Sequence, residues 1–435
     1  MGKVEIIRGH VTPAQIAPVE ARALIAESAA LLLANGQTTE RTVAAARQLA
    51  DRLRLRVTVF ARWGELIVRT DDDTGSHYDI AAVVPMGIDM NKVAAATDVV
   101  DRVIDGRLDV PAARAALEAI ARRPPVSVAR FALLAAAGAA ALGVIFGAAH
   151  PFGLMLIALS AGAGACLRRW LARVSPNPFV QPLCASLLAG VIGAIAVRLE
   201  VSSELRLIAV CPCMVLVPGP HLLNGAIDLA RTRIALGAAR ISYAGLIILM
   251  ICTGLLTGLW LGGATLPVSG PTYPVPLGYD VITAGVAVAA YGTFFAMPWR
   301  MLPIPIVVGM VAHAAHWAMM SFAGASLEAA ALVSCLLVGI IATPVADRLR
   351  MPFAAFAFAS VVSLIPGVLL FRMAGGFVEL VMLGGKASAD LLLNTFADGA
   401  TAILVILAMT LGLVVPKMCI EYFVPSLSRP SSQSN

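Results

Sequence analysis

The sequence predicts an α-helical polytopic membrane protein, with ten transmembrane helices arranged as two five-helix inverted repeats after an N-terminal soluble α+β domain. The first observation behind this prediction is composition. Of the 435 residues, 59% are hydrophobic and 13% are charged, whereas soluble domains carry roughly 25% charged residues. The second is distribution, because 16 of the 26 acidic residues precede Pro124. We therefore expect a cytoplasmic domain at 1–125 and a membrane domain after it.

The soluble segment has the pattern of mixed helices and strands. Thr38 is placed to cap a helix, and Gly36 and Gly106 follow apolar helical stretches that they can terminate. Apolar and polar residues alternate in three short segments, which is typical of strands. The predicted helices are 13–35, 38–53, 89–105 and 111–122, and the predicted strands are 56–61, 65–69 and 77–84.

The later chain contains ten hydrophobic stretches, most of them near the ~20 residues that a membrane-spanning helix needs. If the soluble domain is cytoplasmic, the inside connections and the C-terminal tail carry eleven Lys and Arg residues and the outside connections carry four. This bias predicts that both termini are cytoplasmic and that the protein is multi-pass. The expected spans are 128–148, 151–167, 179–198, 206–228, 238–262, 278–298, 302–322, 327–346, 352–371 and 391–415.

A helix-breaking motif occurs in two of these spans. Pro218-Gly219 in the fourth span is echoed 148 residues later by Pro366-Gly367 in the ninth. The repetition predicts one five-span half at 126–265, a second at 266–417 and a cytoplasmic tail at 418–435. Because five is odd, the second half must insert upside down relative to the first. Paired interrupted helices in inverted halves are typical of the binding site of a secondary transporter, although simple proline kinks are the alternative.

Polar residues near the breaks are candidates for binding a small zwitterion. The predicted substrate-binding residues are Pro218, Gly219, His221, Asn224, Pro366, Gly367 and Asn394. For His221, capping of the broken helix is an equal alternative.

Four titratable residues within spans are candidates for proton coupling, because charged groups at membrane depth usually face a cavity or a partner. Asp398 is preferred, followed by Asp228 and by the pair His313 and His316. Pairing of Asp228 with Arg231 or Arg233, and hydrogen bonding of the histidines between helices, are the structural alternatives.

The sequence resembles the threonine/serine exporter family in its fused form. The resemblance rests on short motifs in a fixed order, including 33–42 (LANGQTTERT), 84–92 (VPMGIDMNK), 104–109, 120–125, 177–179, 217–219 and 365–367. It implies ten spans, a prokaryotic inner-membrane location and export of L-threonine and L-serine driven by the proton motive force.

Other functions are less favoured by the sequence. Motifs for ATP hydrolysis, zinc proteolysis or nucleic-acid binding do not occur, and we expect no cofactor, no metal and no enzyme activity. The seven cysteines lie in or beside hydrophobic runs and are expected to be buried thiols. The alternative function is a membrane-tethered hydrolase of peptides or amides, for which His77 and Asp79 are weak signals. For the soluble domain itself a regulatory or assembly role is preferred, and homo-oligomerisation is left open.

Overall fold

The computed structural model describes residues 16–73, 75–148, 150–198, 205–264 and 275–423. The soluble domain contains the predicted mixture of helices and strands. Its three strands form an antiparallel meander in the order β1-β2-β3. The elements are α1 (Ile16–Ala34), α2 (Thr39–Arg52), β1 (Arg56–Ala61), β2 (Gly64–Asp72), β3 (Gly75–Val83), α3 (Met90–Ile104) and α4 (Val110–Ala121).

Local signals position these elements. The Thr38 side chain accepts a hydrogen bond from the Arg41 amide and caps α2, as its position after Gly36 predicts. Gly36 has φ +93° and lets the chain reverse after α1. The core lies between the helices and one face of the sheet, where Leu33 and Leu66 are fully buried.

The membrane domain consists of twelve helices in the described ranges. Nine of them are long and apolar enough to cross a membrane, and α8 with α9 forms one further span bent by 52°. The first half contains α5 (Val128–Ile145), α6 (Pro151–Val174), α7 (Val180–Arg198), α8 (Leu205–Met214), α9 (Gly219–Ala230) and α10 (Ile234–Leu261). The second contains α11 (Leu277–Phe294), α12 (Pro303–Phe322), α13 (Leu327–Arg348), α14 (Phe353–Val361), α15 (Gly367–Leu383) and α16 (Ala389–Phe423).

Several helices are longer than expected. The ninth span was expected to end at residue 371, but α15 continues to Leu383 because the sequence stays largely apolar until Gly384, where φ is +52°. Similarly, α6 continues past residue 167 to Val174, since its first breaker is Ser175-Pro176. Three arginines assigned to a loop therefore lie within α6. The last helix, α16, continues to Phe423, beyond the expected start of the tail.

The contacts within one half recur in the other. The pairs α5–α6, α7–α10 and α9–α10 correspond to α11–α12, α13–α16 and α15–α16. The first helices of the two halves, α5 and α11, pack against each other in opposite directions. Arg130, near the start of α5, donates to the carbonyl of Met297, just past the end of α11, at 3.2 Å. The second half is therefore inverted relative to the first, as a five-span repeat requires.

The soluble domain packs against one end of the helix bundle. The Met90 amide donates to the carbonyl of Phe295 at 2.8 Å, which attaches the start of α3 to the end of α11. Arg350, just after α13, pairs with Asp98 of α3 at 2.8 Å. This is the end at which the counted arginines and lysines place the cytoplasm.

Candidate substrate and coupling sites

The two helix breaks face each other inside the bundle. Pro218 precedes α9 and Pro366 precedes α15, so each motif begins the second half of a broken helix. An added Cβ at Gly219 would lie 1.5 Å from Cε2 of Phe358 in α14, and one at Gly367 would lie 2.9 Å from Cγ of Met214 in α8. Each glycine therefore packs closely against the other half's α8 or α14, which only a residue without a side chain permits.

A cavity of about 50 Å³ lies between the breaks. Its walls are mainly aliphatic and aromatic, and Thr410 supplies a hydroxyl. Among the residues around it are Val217, Gly219, Phe358 and Ile365, from both breaks and from α14. Backbone groups freed at the breaks are therefore the main polar partners that this cavity can offer a ligand.

The polar face of α9 points away from that cavity. Gly219, Leu222 and Leu223 line the cavity, whereas His221, Asn224 and Asp228 lie on the other side of the helix at 3.6 residues per turn. Asn224 Nδ2 donates to the carbonyl of Gly36 at 3.2 Å. The Thr39 hydroxyl donates to Asp228 Oδ2 at 3.1 Å.

His221 is also directed to the soluble domain. It hydrogen bonds with the backbone of Met86, and its ring packs edge-on against Tyr243 at 5.2 Å between centroids. The structure thus places His221 and Asn224, two predicted binding residues, where α9 packs against the soluble domain. We call this contact region the docking surface. The docking loops, at Gly36–Thr39 and at Met86, belong to the motifs 33–42 and 84–92.

Asp228 lies in a buried charge cluster. Its carboxylate is 3.5 Å from Arg233 and 3.5 Å from Arg240, and the side chains of Asp228 and Arg240 are 1% and 2% exposed. Pairing with Arg233 is the alternative that the sequence offered. Arg240 was missed because it lies near the start of the expected span 238–262, where a basic residue is typical of the end of a span, and nothing in the pattern indicated that it faces inward.

Charged residues of α2 extend this docking surface. Glu40 pairs with Arg233 at 2.7 Å and with Arg231 at 3.5 Å. Burial raises the pKa of Glu40, but the hydrogen bond from Arg233 and the charges of Arg231, Arg233 and Lys417 outweigh it, so that the pKa lies below its usual value. Glu40 is therefore held as a carboxylate against two arginines of the membrane domain.

The soluble domain also contacts the second half of the membrane domain. Arg41 pairs with Asp347 near the end of α13. Arg350 also lies 2.8 Å from Asp101 of α3. Burial raises the pKa of Asp101, although the charge of Arg350 opposes this shift. The soluble domain is thus fastened to both halves of the bundle.

Asp398 and Asn394 lie on α16, away from the end of the bundle that contacts the soluble domain. Asp398 is 8% exposed and its Oδ2 is 2.9 Å from Nε of Arg372 in α15. Asn394 is exposed and does not line the cavity between the breaks. Arg372 of α15 is the ion-pair partner of Asp398.

A second titratable pair lies between α11 and α12. His313 Nδ1 is 2.7 Å from Asp280 Oδ2, and both residues are buried. His313 Nε2 is buried without a hydrogen-bond partner among the described residues. The ring of His316 lies 6.0 Å from that of His313. Sequence reasoning missed Asp280, although it is the sole acidic residue of the expected span 278–298.

The soluble domain contains a polar cluster on the inner face of its sheet. His77 Nε2 lies 3.3 Å from Asp72 Oδ1, and Asp72 pairs with Arg22 at 3.2 Å. Thr70 is the cross-strand neighbour of His77, but it is fully buried. Since substrate cannot reach a fully buried hydroxyl, this arrangement does not favour the hydrolase alternative.

An inverted helical bundle with two interrupted helices is the architecture of a polytopic membrane protein, and it is common among secondary transporters. Residues 23–262 match the family model described as "Putative threonine/serine exporter", and residues 280–419 match the model described as "Threonine/Serine exporter, ThrE". The chain belongs to the threonine/serine exporter family, and it is an amino-acid exporter. The gap between the matches falls on the connection between α10 and α11. No solved structure matches the chain.

Proposed function

We propose that the protein exports L-threonine and L-serine from the cytoplasm across the inner membrane as a secondary transporter driven by the proton motive force, with both termini cytoplasmic. The observation that carries this proposal is the meeting of two interrupted helices from inverted halves, with Gly219 packed on Phe358 and Gly367 on Met214. Freed backbone groups at such breaks suit the ammonium and carboxylate of a small amino acid. The family membership supports the substrate class.

In this proposal the substrate sits at the breaks, next to Pro218, Gly219, Pro366 and Gly367. His221 and Asn224 hold the soluble domain in place, because their polar groups are directed toward it. The soluble domain acts as a regulatory module rather than as an enzyme.

For proton coupling, the Asp280–His313 pair is the stronger candidate. Asp398 and Asp228 have arginine partners, and either carboxylate must lose that partner before it can carry a proton. Asp280 instead faces the imidazole of His313, a group that can both donate and accept a proton. His316 lies close enough to extend the relay through an intervening water.

The test is uptake of radiolabelled threonine, serine and a dipeptide into proteoliposomes, with and without an imposed proton gradient. Wild-type protein is expected to move threonine and serine faster with the gradient. Asp280→Asn and His313→Gln are expected to remove the stimulation by the gradient while leaving exchange of substrate across the membrane. Asp398→Asn serves as the comparison, and loss of stimulation in that variant alone would place coupling there instead.

A further inference from the structure

A second small cavity lies beside the first helix break, between α5, α6, α7 and α8. It has a volume of about 10 Å³, which is room for roughly one water molecule. Val215 and Leu216 of the break, Phe294 of α11 and the small residues Ala161 and Gly164 of α6 line it. Two polar side chains of α6, Ser160 and Arg168, also open onto it.

Both polar side chains lack partners. The hydroxyl of Ser160 is buried and has no hydrogen-bond partner among the described residues, and the residue is 1% exposed. The Nε atom of Arg168 is also buried without a hydrogen-bond partner among the described residues, and its guanidinium lies 5.6 Å from the centroid of the Phe131 ring. None of the ion pairs in the described ranges includes this arginine. Buried polar groups are almost always hydrogen bonded, so two unpartnered groups that open onto one cavity mark a place where a polar ligand can bind.

The neighbouring arginines make the contrast clear. Arg169 donates to the carbonyl of Val126 at 3.0 Å and lies over the ring of Phe131 at 4.3 Å. Arg130 donates to the carbonyl of Met297. The Nε atoms of both arginines are also buried without partners, but each guanidinium donates to a backbone carbonyl, a contact that Arg168 does not make among the described residues. Arg168, by contrast, faces the cavity beside the break.

We propose that Arg168 and Ser160 form a subsite for the α-carboxylate of the transported amino acid, an inference that rests on the proposed function. Guanidinium groups bind carboxylates through two parallel hydrogen bonds, and a buried guanidinium without a counter-ion has the charge that a carboxylate complements. The Ser160 hydroxyl supplies a further donor. In the present state the cavity is closed, and the carboxylate enters when the bundle opens beside Leu216.

The subsite belongs to the first half alone. When α6 and α12 are aligned from their first residues, Pro151 and Pro303, the positions 152 residues after Ser160 and Arg168 are Ala312 and Met320. The inverted half therefore has no equivalent arginine. One carboxylate is bound per molecule, and it is bound on the side of the first break.

The experiment compares Arg168→Gln, Arg168→Lys, Ser160→Ala and the matched control Arg169→Gln in proteoliposomes. Each protein is assayed for the KM and kcat of L-threonine transport, and for inhibition by L-threonine amide and threoninol, which lack the carboxylate. We expect Arg168→Gln to raise KM by roughly tenfold or more, Arg168→Lys by less and Ser160→Ala by roughly threefold, with Arg169→Gln close to wild type. In the wild type the two carboxylate-free compounds should inhibit weakly.

An unchanged KM in Arg168→Gln, or inhibition of the wild type by the amide as strongly as by threonine, would overturn the subsite. If Arg168→Gln is not monodisperse in detergent, the Arg168→Lys and Ser160→Ala values decide, and unchanged KM in both overturns it. Direct binding of radiolabelled threonine to the detergent-solubilised wild type separates the two proposals. A wild type that neither binds nor moves threonine or serine contradicts the proposed function itself, and the subsite with it. If the wild type binds and transports threonine or serine and Arg168→Gln binds it equally well, the subsite is contradicted and the proposed function is not.

Discussion

The two helix breaks share a Pro-Gly motif, but the helices that follow them have different surroundings. After the first break, eight of the twelve residues of α9 are buried, whereas after the second break the buried residues of α15 are Gly367, Phe371 and Gly376. Because the halves are inverted, α9 runs toward the soluble domain and α15 runs away from it. The motif thus determines where the helix breaks, and the neighbouring elements determine how much of the following helix is buried.

Side-chain chemistry follows this difference. His221, Asn224 and Asp228 are buried at a surface that the soluble domain covers. The charged residues of α15 are Arg372 and Glu379, and Arg372 pairs with α16. A polar helix face at membrane depth requires partners, and among the described residues the soluble domain supplies them for α9 and not for α15.

The largest expected effect on transport is at the breaks themselves. In Gly219→Ala the new methyl group would overlap the Phe358 ring, and the ring could move only into the cavity between the breaks, where the substrate is proposed to bind. We expect a loss of transport and a destabilisation of at least about 1–3 kcal/mol, the usual range for overpacking. In Gly367→Ala the methyl meets the flexible thioether of Met214, and the effect should be smaller. Melting temperatures of the two detergent-solubilised variants test this difference, and equal values would contradict it. Recovery of stability when Phe358→Leu is combined with Gly219→Ala would show that overlap with the Phe358 ring causes the loss.

The next effect concerns the buried charges. Asp228→Asn leaves Arg240 buried without its carboxylate, and breaking a buried ion pair in this way costs about 3–5 kcal/mol. Asp398→Asn should destabilise the protein less, because the Arg372 side chain is 21% exposed and can reach more polar surroundings. Unfolding in denaturant provides the measurement. A larger loss for Asp398→Asn than for Asp228→Asn would be inconsistent with the assignment of Asp228 to structure.

A smaller effect is expected at the docking carboxylate Glu40. Its pKa is lowered in the folded protein, so its contribution to stability is fully present above its unfolded pKa, near 4.5, and is lost as the pH falls through the lower folded value. The difference in melting temperature between wild type and Glu40→Gln should therefore be largest above pH 4.5 and should shrink in more acidic solution. Glu118→Gln, in an exposed pair with Arg122, is the control. A difference that does not depend on pH would exclude Glu40 as a charged docking contact.

The smallest effect is expected at the aromatic contact of the sheet turn. Trp63 packs on Tyr243 of α10 with ring centroids 5.1 Å apart. A double-mutant cycle with Trp63→Leu and Tyr243→Leu should give a coupling free energy of about 0.5–1.5 kcal/mol. The absence of coupling would mean that the turn is not part of the docked surface.

Much of the fold could be predicted from short-range patterns. Alternation predicted the strands, Thr38 predicted the start of α2, and the repeated Pro-Gly motif predicted both breaks. Helix ends were predicted less well, because apolar runs continue without a breaker, as from residue 371 to Gly384. Sequence patterns show which stretches can form a helix. Where an apolar stretch continues without a helix-breaking residue, they do not show at which residue the helix ends.

The site could be predicted less completely, since it depends on contacts between distant segments. The pattern of α9 placed His221, Asn224 and Asp228 on one face, but nothing in the sequence indicated that Gly36, Thr39 and Met86 cover that face. Likewise, Arg168 had the features of a positive residue in a cytoplasmic loop. Its position beside a cavity follows from the extra turns of α6 and from packing against α8, neither of which the sequence predicted.

Three consecutive residues of α2 hold different parts of the bundle. Thr39 and Glu40 bind Asp228 and Arg233 in the first half, and Arg41 binds Asp347 in the second. A single turn of α2 therefore connects the two halves of the membrane domain. In the proposed transport cycle, movement of one half against the other would break one of these contacts and form it again, so a molecule that binds α2 outside the membrane is expected to change the turnover rate.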